Sequence, residues 1–325
     1  MIKKVKYYIS RSVNPYENLA TEKFLLDAVD ENSCILYLWQ NKNTVVIGKN
    51  QNPWLECNCT LLEEKGVKIA RRLSGGGAVY HDLGNLNFTF IAPAENYNLD
   101  RQMQVIKTAC KLCGIPAEIS GRNDISVNGR KFSGNAFYNS KGKSYHHGTL
   151  LINADINVMN TILTPPKAKL EAKGVKSVKS RVANLTEFAP DLTCEKMTEY
   201  MLIGFKKVYG LNPEEFNFDK TPELFALAEE YSSWEYIYGA TFPFTVSMEQ
   251  KFDWGNVTLQ LQVESGKITG VKFYTDSLNW KIAELVEKAL LGCRYEKNYI
   301  TIALRKNIPD EYANDLCNFL NDFTS

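Results

Sequence analysis

The sequence predicts an α+β fold, in which a mixed β-sheet is flanked by helices and a second, smaller α+β domain follows. Helix-like and strand-like patterns alternate along the first two thirds of the chain. A Thr-Phe-Pro-Phe stretch at 241–244 then precedes a compact pattern of strands, a tight turn and helices. The length of 325 residues suits one large and one small domain, and we place them at 1–244 and 245–325.

The larger domain begins with a strand over 1–10 and a helix. Asn14 is a typical N-cap and Pro15 suits the first helical position. The residues that recur every four positions, and that we expect to form the buried stripe of this helix, are Tyr16, Ala20, Phe24 and Ala28. Further strands are predicted at 34–39, 44–47, 67–69 and 86–91, with a short helix over 55–65.

The strand at 86–91 has two distinct faces. Its apolar residues are Leu86, Phe88 and Phe90, and the polar residues that alternate with them are Asn85, Asn87 and Thr89. Successive side chains of a strand point to opposite faces of the sheet. We therefore expect one face to pack in the core and the other to line a cleft.

The rest of the chain continues the alternation of elements. A helix is predicted over 100–113, and Asn128-Gly129 predicts a two-residue hairpin that places Lys131 on its second strand. The further predicted elements are a strand over 145–152, helices over 197–208 and from 221, strands over 257–263, 268–274 and 299–304, and helices over 279–291 and from 309.

Composition limits the possible function. The 38 basic and 37 acidic residues nearly balance, so we expect no general nucleic-acid binding. No apolar run approaches the ~18 residues of a membrane span, and no signal peptide is evident, so a cytoplasmic protein without membrane association is expected. Eight cysteines in a chain of this length do not suggest a disulfide scaffold. With three histidines in all, we expect no fixed metal site.

The stretch 71–81 is the strongest candidate for a binding site. Two arginines precede a serine and three consecutive glycines, between predicted strands. Glycines allow backbone N–H groups to approach a ligand closely, and guanidinium groups suit a carboxylate or a phosphate. Taken alone, the run is equally well interpreted as a glycine-rich turn with exposed arginines.

A second cationic segment extends this interpretation. Residues 164–181 contain five lysines and one arginine but a single acid, which is typical either of a solvated loop or of a lid over a polyanion. Neither a P-loop nor the dinucleotide fingerprint is present, and no Ser-His-Asp set or carboxylate pair is apparent. A reaction that needs charge neutralisation more than proton transfer fits best, such as activation of a carboxylate by ATP.

Several motifs together resemble those of lipoate-protein ligases. The segments that carry the resemblance are 44–48, 51–54, 71–85, 121–124, 131–134, 146–150 and 173–186. They occur in order over nearly the whole chain. The resemblance implies a fold like that of biotin and lipoate ligases, which is also related to class II synthetases.

The resemblance also implies a two-step reaction. Lipoate and ATP, with Mg²⁺ bound to the nucleotide, form lipoyl-AMP and pyrophosphate, and the lipoyl group then passes to a specific lysine of an acceptor protein. By motif position, Lys131 is the catalytic residue and contacts both lipoate and ATP. The other residues implied to bind ATP are Arg72, Gly77, Ala78, Val79 and Tyr80, and those implied to bind lipoate are Ser74, Gly75 and Gly76. Asn123 and Asp124 are weaker candidates for adenylate or magnesium contacts, and Trp39, Phe88 and Phe132 are candidates to line a lipoyl tunnel.

The implied acceptors are lipoyl domains of 2-oxoacid dehydrogenase complexes and the glycine-cleavage H protein, and a monomer is expected. Three alternatives stay open. A lipoyltransferase that uses preformed lipoyl-AMP would keep the same motifs. An octanoyltransferase that does not use ATP is disfavoured in its cysteine-dependent form, because no cysteine lies between Cys113 and Cys194. A non-enzymatic binder of lipoyl-AMP or ATP is the third.

Overall fold

A computed structural model describes residues 1–49, 51, 53–120, 124–163, 182–239, 244–275, 277, 279 and 281–321. The chain divides into two compact units. Unit 1 comprises Met1–Lys49 and Gly66–Ser232, and unit 2 comprises Asn50–Lys65 and Ser233–Ser325. Thr241, Phe242 and Pro243, where the sequence suggests a domain boundary, lie outside the described residues.

The described elements follow one another in this order. The first part of the chain contains β1 (Lys4–Ile9), α1 (Pro15–Ala28), β2 (Ser33–Trp39), β3 (Thr44–Ile47), α2 (Pro53–Glu56), α3 (Cys59–Glu64), β4 (Lys68–Arg71), β5 (Val79–His81), β6 (Asn85–Pro93), α4 (Leu99–Leu112), β7 (Glu118–Ser120), β8 (Asp124–Val127), β9 (Arg130–Ser140), β10 (Lys143–Leu151) and α5 (Ile156–Ile162). The second part contains α6 (Cys194–Tyr209), β11 (Glu214–Glu215), α7 (Pro222–Ser232), β12 (Phe244–Phe252), β13 (Gly255–Glu264), β14 (Lys267–Thr275), α8 (Ile282–Leu290), α9 (Lys297–Asn307) and α10 (Asp310–Asn321).

Unit 1 is built on an eight-stranded sheet in the order β11-β1-β2-β6-β10-β9-β8-β7. Strand β1 pairs in parallel with β2, whereas β2, β6, β10 and β9 pair antiparallel, so the predicted mixed sheet is confirmed. A second sheet has the order β4-β3-β5. In the large sheet, Asn87 of β6 lies opposite Trp39 of β2 on one side and Thr149 of β10 on the other.

One face of the large sheet holds the main core. Leu86, Phe88 and Phe90 of β6 are buried there together with residues of α4 and α6, as the alternation predicts. Gly204 of α6 allows these two helices to approach closely, because a Cβ at this position would lie 2.8 Å from the backbone oxygen of Val105. Burying each large apolar side chain contributes ~1.5–3 kcal/mol. The opposite face, with its polar residues, is left available for α1 and the site.

Helix α1 begins as predicted but buries a different face. Asn14 is the N-cap and its side chain accepts a hydrogen bond from the backbone N–H of Tyr16. Of the predicted stripe, only Ala20 is buried. The residues that are buried in this helix are Pro15, Asn18, Leu19, Ala20, Thr21, Glu22, Leu25 and Leu26. The prediction was wrong because Glu22 has buried polar partners on the sheet, which favour turning this polar face inward.

The predicted hairpin before Lys131 is confirmed. Asn128 has φ 50° and Gly129 has φ 73°, as a two-residue type I′ turn requires. The turn joins β8 to β9, and the pairing shifts between Ile125 and Ser126. Such an irregularity re-aims the side chains that follow it. The turn and the pairing with β8 therefore fix the direction of the strand from which Lys131 extends.

Unit 2 contains the antiparallel sheet β12-β13-β14, with buried residues of α8, α9 and α10 in its core. The strand predicted at 299–304 is wrong, because these residues lie in α9. Ile300 and Leu304, four residues apart, are buried, whereas Ile302 is 65% exposed. This helical spacing outweighs the local β-branched composition. Among all described residues, no helix has both the length and the apolar character needed to cross a bilayer.

Candidate active site

A cavity of about 190 Å³ in unit 1 brings most of the predicted site residues together. Its floor is formed by neighbouring strands of the large sheet, with Trp39, Asn87 and Thr149 side by side. The residues that line it are Leu19, Trp39, Val46, Arg72, Gly76, Gly77, Ala78, Val79, His81, Asn87, Lys131, Gly134, Asn135, Ala136, His147, Gly148 and Thr149. The cavity thus combines apolar side chains with two cationic groups and a glycine-rich backbone.

The glycine loop, residues 74–78, forms one wall. Gly76 has φ 95°, a conformation that favours glycine. The loop lies against Gly48, where an added Cβ would be 2.3 Å from the backbone oxygen of Gly76. The backbone N–H of Lys49 donates to the carbonyl of Ser74 at 2.9 Å. Contacts on the adjacent strand end therefore fix the path of the loop.

Arg72 stabilises this loop by binding its backbone. Its guanidinium donates to the carbonyl oxygens of Val46, Gly75 and Gly77, with distances between 2.8 and 3.2 Å, and to Oγ of Ser74 at 3.1 Å. Only 6% of the residue is exposed, and burial lowers its pKa to about 10. In the described part of the chain no carboxylate forms an ion pair with it. Arg72 thus shapes the loop and adds positive charge to the cavity.

Ser74 is anchored by a chain of buried polar groups. Its Oγ lies 2.8 Å from Nε2 of His147, and Nδ1 of His147 lies 2.8 Å from Oε1 of Glu22. Thr89 donates to the same carboxylate oxygen at 2.7 Å, and Nε1 of Trp39 donates to Thr89. This series of hydrogen bonds connects the floor of the cavity to the glycine loop. Because the Ser74 side chain is only 1% exposed, it serves to position the loop.

Lys131 enters the cavity from β9. Its Nζ lies 2.7 Å from Oδ1 of Asp124, and the two side chains are 40% and 36% exposed. Gly134 leaves room for the lysine, since a Cβ there would be 2.9 Å from Nζ. The backbone of Lys131 also accepts a hydrogen bond from the N–H of Ala183. The ammonium group is therefore accessible and is placed by its strand.

The structure brings together six of the residues implied to bind ATP or lipoate, namely Arg72, Gly76, Gly77, Ala78, Val79 and Lys131. Ser74, Gly75 and Tyr80 do not line this cavity, although they belong to the same loop and strand. Trp39 lines the cavity as suggested, whereas Phe88 and Phe132 are fully buried in the core. Asn123 and the basic segment 164–181 lie outside the described residues.

Sequence reasoning assigned no role to His81 and placed Asn87 only on a strand face expected to line a cleft; both residues line the cavity. The polar face of β6 was a signal for Asn87, and His81 lay within the glycine motif. Burial, together with the positive charge of Arg72, lowers the pKa of His81 to about 3, so this imidazole is neutral. Among the described residues, no group of three or more His, Cys, Asp or Glu side chains is arranged to hold a metal ion.

Comparisons with known proteins show which family this chain resembles. Residues 14–206 match the family model of the lipoyl protein ligase A/B catalytic domain, and residues 241–320 match that of the bacterial lipoate protein ligase C-terminus. The chain is 41% identical to lipoate-protein ligase A of Bdellovibrio bacteriovorus over 312 residues, covering 93% of this chain and 92% of that one. It is 39% identical to lipoate-protein ligase A of Psychrobacter cryohalolentis over 307 residues, covering 91% of each chain.

The chain is also similar to solved structures. P. falciparum LipL1, in complex with lipoate, has a TM-score of 0.65 and 32% identity, covering 98% of this chain and 99% of that one. A bipartite lipoate protein ligase from Thermoplasma acidophilum, described with its E2 lipoyl domain, has a TM-score of 0.64 and 26% identity, covering 74% of this chain and 97% of that one. The matched catalytic domain and the named relatives identify the chain as an enzyme of the ligase class. The chain belongs to the lipoate-protein ligase family, so the resemblance found in the sequence is confirmed.

Proposed function

We propose that this chain joins lipoate to protein lysines in two steps: lipoate and ATP form lipoyl-AMP and release pyrophosphate, and a lysine amine then takes the lipoyl group and releases AMP. The observation that carries the proposal is that Lys131, Arg72 and the glycine loop open into one cavity. The family assignment and the names of the relatives support it. The lipoate in the P. falciparum relative supports lipoate as the acid.

Activation needs two anions held side by side. The lipoate carboxylate is ionised at neutral pH and needs no base before it attacks the α-phosphate. The ammonium of Lys131 neutralises both the carboxylate and the charge that develops at phosphorus. Arg72 and Gly77 to Tyr80 hold the ATP phosphates, and Ser74 to Gly76 close over the lipoyl chain. Because the donors of Arg72 already bind loop carbonyls, it acts on phosphate mainly through its charge and through the loop.

In this proposal Mg²⁺ arrives bound to ATP rather than occupying a resident site. Asp124 supplies a half-exposed carboxylate beside Lys131, the kind of oxygen donor that Mg²⁺ prefers. Asn123 is proposed to contact the adenylate or the magnesium. Mg²⁺ supplies charge neutralisation at the phosphates when bound, and the basic segment 164–181 is proposed to close over the adenylate.

The second step takes a lysine of an acceptor protein. We propose lipoyl domains of 2-oxoacid dehydrogenase complexes and the glycine-cleavage H protein as acceptors. The T. acidophilum ligase, described with an E2 lipoyl domain, supports the first of these. We assign both steps to residues 1–244 and an accessory role to residues 245–325. A cytoplasmic monomer is proposed, and the eight free cysteines suit a reducing compartment.

The deciding experiment is lipoate-dependent exchange of pyrophosphate with ATP. The intact protein should catalyse exchange, and Lys131→Ala should abolish it. Lys111→Ala removes an exposed lysine of helix α4 and should leave exchange unchanged. Circular dichroism should show that both variants are folded.

The other outcomes separate the alternatives. If the protein catalyses no exchange but transfers the lipoyl group from supplied lipoyl-AMP, it is a lipoyltransferase and not a ligase. Octanoyl transfer without ATP indicates an octanoyltransferase. If the protein binds ATP or lipoyl-AMP but catalyses neither reaction, it is a non-enzymatic binding protein.

A further inference from the structure

Two buried polar groups of the cavity wall have no hydrogen-bond partner within the described part of the chain. Nε2 of His81 and the side-chain amide Nδ2 of Asn87 have no hydrogen-bond partner among the described residues. The two residues are 3% and 1% exposed. Buried polar groups are nearly always hydrogen-bonded, so an unpartnered donor in a cavity wall indicates a ligand that supplies the acceptor.

The hydrogen-bond network fixes which nitrogen of His81 carries the proton. Nδ2 of Asn18 lies 3.1 Å from the carbonyl oxygen of Ser12 and 2.8 Å from that of Gln40, so this atom must be the amide nitrogen. It therefore donates to Oδ1 of Asn41 at 2.9 Å.

The other amide atom of Asn41, Nδ2, then donates to Nδ1 of His81 at 3.2 Å. A neutral imidazole that accepts at one nitrogen carries its proton on the other. His81 therefore presents an Nε2–H donor.

Asn87 presents the second donor. Its Oδ1 accepts a hydrogen bond from Nδ2 of Asn85 at 2.9 Å, which leaves its own Nδ2 without a partner in the described chain. Asn87 sits in the cavity floor between Trp39 and Thr149. The ring of His81 lies edge-on to that of Trp39, with centroids 6.0 Å apart. Trp39, His81 and Asn87 thus define one end of the cavity, which we call the distal end.

Lys131 marks the opposite end. Its Nζ lies close to Gly134, whose N–H donates to Oγ1 of Thr149, so the lysine stands beside the β9 and β10 side of the floor. Strand β6 is two strand spacings from β9, which is roughly 10 Å. This separation is comparable to the length of an extended fatty acyl chain such as octanoate. An acid whose carboxylate lies at Lys131 therefore has its tail at the distal end.

We propose that His81 and Asn87 select lipoate over octanoate by donating hydrogen bonds to the sulfur-bearing end of the lipoyl chain. The inference rests on the proposed function, because it takes Lys131 as the carboxylate anchor. Dithiolane sulfurs are weak acceptors, whereas an alkyl tail offers none. An alkyl tail covers the two donors without pairing them, and an unpaired buried donor disfavours that complex.

Calorimetric titration of lipoate and octanoate without ATP tests this specificity. The intact protein should bind lipoate about tenfold more tightly than octanoate. Asn87→Leu replaces the amide by an apolar side chain of similar volume and should reduce that ratio to about twofold. Asn139→Leu makes the same exchange at an exposed position of β9 outside the cavity, so its ratio should match that of the intact protein.

Each outcome has one meaning. Unchanged discrimination in folded Asn87→Leu, or equal affinities in the intact protein, overturns the inference. If the intact protein binds neither acid, the proposed function itself fails.

If Asn87→Leu does not fold, the intact protein still decides the question. It should bind a thioether analogue of octanoate, in which sulfur replaces one distal methylene, several-fold more tightly than octanoate. Equal affinity for the two acids overturns the inference.

Discussion

The carboxylate of Asp124 lies 2.7 Å from Nζ of Lys131, across the hairpin that joins β8 to β9. The Asp124 carboxylate is thus already paired with the lysine that is proposed to bind the substrate carboxylate. Any entering anion must share or displace Asp124. The partly exposed pair is readily screened by solvent and contributes only ~0.2–1 kcal/mol, so displacement is feasible.

Asp124→Asn should therefore strengthen the binding of lipoate in the absence of ATP. The neutral amide keeps the shape of the side chain but competes less for the ammonium group. We expect the dissociation constant to fall roughly two- to fivefold, as measured by calorimetry.

Glu187→Gln is the matched control for this change. It breaks the pair between Arg130 and Glu187, which has a distance of 2.6 Å and side-chain exposures of 34% and 40%. Its lipoate affinity should equal that of the intact protein. Equal effects of the two variants would show that the Asp124 contact has no special relation to the carboxylate site.

Gly48→Ala should displace the glycine loop. The added methyl group would lie 2.3 Å from the oxygen of Gly76, which is well inside contact distance. Overpacking of this kind costs ~1–3 kcal/mol of stability, and a shifted loop should also weaken ATP binding by tenfold or more. Urea unfolding and a nucleotide-binding titration measure the two effects.

Gly75→Ala provides the comparison in the same loop. Its Cβ would meet no atom within 4 Å, so the free energy of unfolding should change by less than ~0.5 kcal/mol. Similar destabilisation by both substitutions would argue against the loop position described here.

Unit 1 should lose stability as the pH falls from about 6.5 towards about 3. Burial lowers the pKa of both His81 and His146 to about 3, whereas an unfolded histidine has a pKa of ~6.5. Between these values the unfolded chain binds more protons, so acid favours unfolding. Each histidine contributes a slope of up to about 1.4 kcal/mol per pH unit.

Urea unfolding at pH 7, 5 and 4 measures this slope. His146→Gln removes one of the two groups and should flatten the dependence. A stability that is the same at all three values of pH would contradict the burial of neutral histidines in the folded chain.

Helix α9 provides a test of the second unit. Leu304 is fully buried and Ile302 is 65% exposed, only two residues apart. Leu304→Ala should lower the free energy of unfolding of unit 2 by ~2–5 kcal/mol, and Ile302→Ala by less than ~0.5 kcal/mol. Thermal unfolding measures both variants. If Ile302→Ala is the more damaging change, residues 299–304 are a strand after all.

Local signals in the sequence predicted the parts of the site that depend on local geometry. The Asn128-Gly129 pair fixes its own turn, so the strand position of Lys131 followed from neighbouring residues alone. The face that α1 buries did not follow, because it depends on a contact between Glu22 and His147, 125 positions apart in the sequence. A strand was predicted around Ile302 because β-branched composition is a weak guide when helical spacing of the buried residues opposes it.

The donors at the distal end were also beyond sequence reasoning. The polar alternation in β6 indicated a cleft, but not which of its groups would lack a partner. That property depends on how Asn18, Asn41 and His81 arrange their amide and imidazole groups in three dimensions. It appears only once the fold is known.

The buried guanidinium of Arg72 has a consequence for the speed of the reaction. Its charge and the carbonyl dipoles bound to it are set while the chain folds, and Ser74 is fastened to the same group. A phosphate bound beside Arg72, as proposed, would therefore meet a positive charge that is already in place, and little solvent or protein would have to reorient as negative charge builds up. In the proposed reaction, Arg72 would thus avoid the reorganisation that a flexible surface arginine would undergo in every turnover.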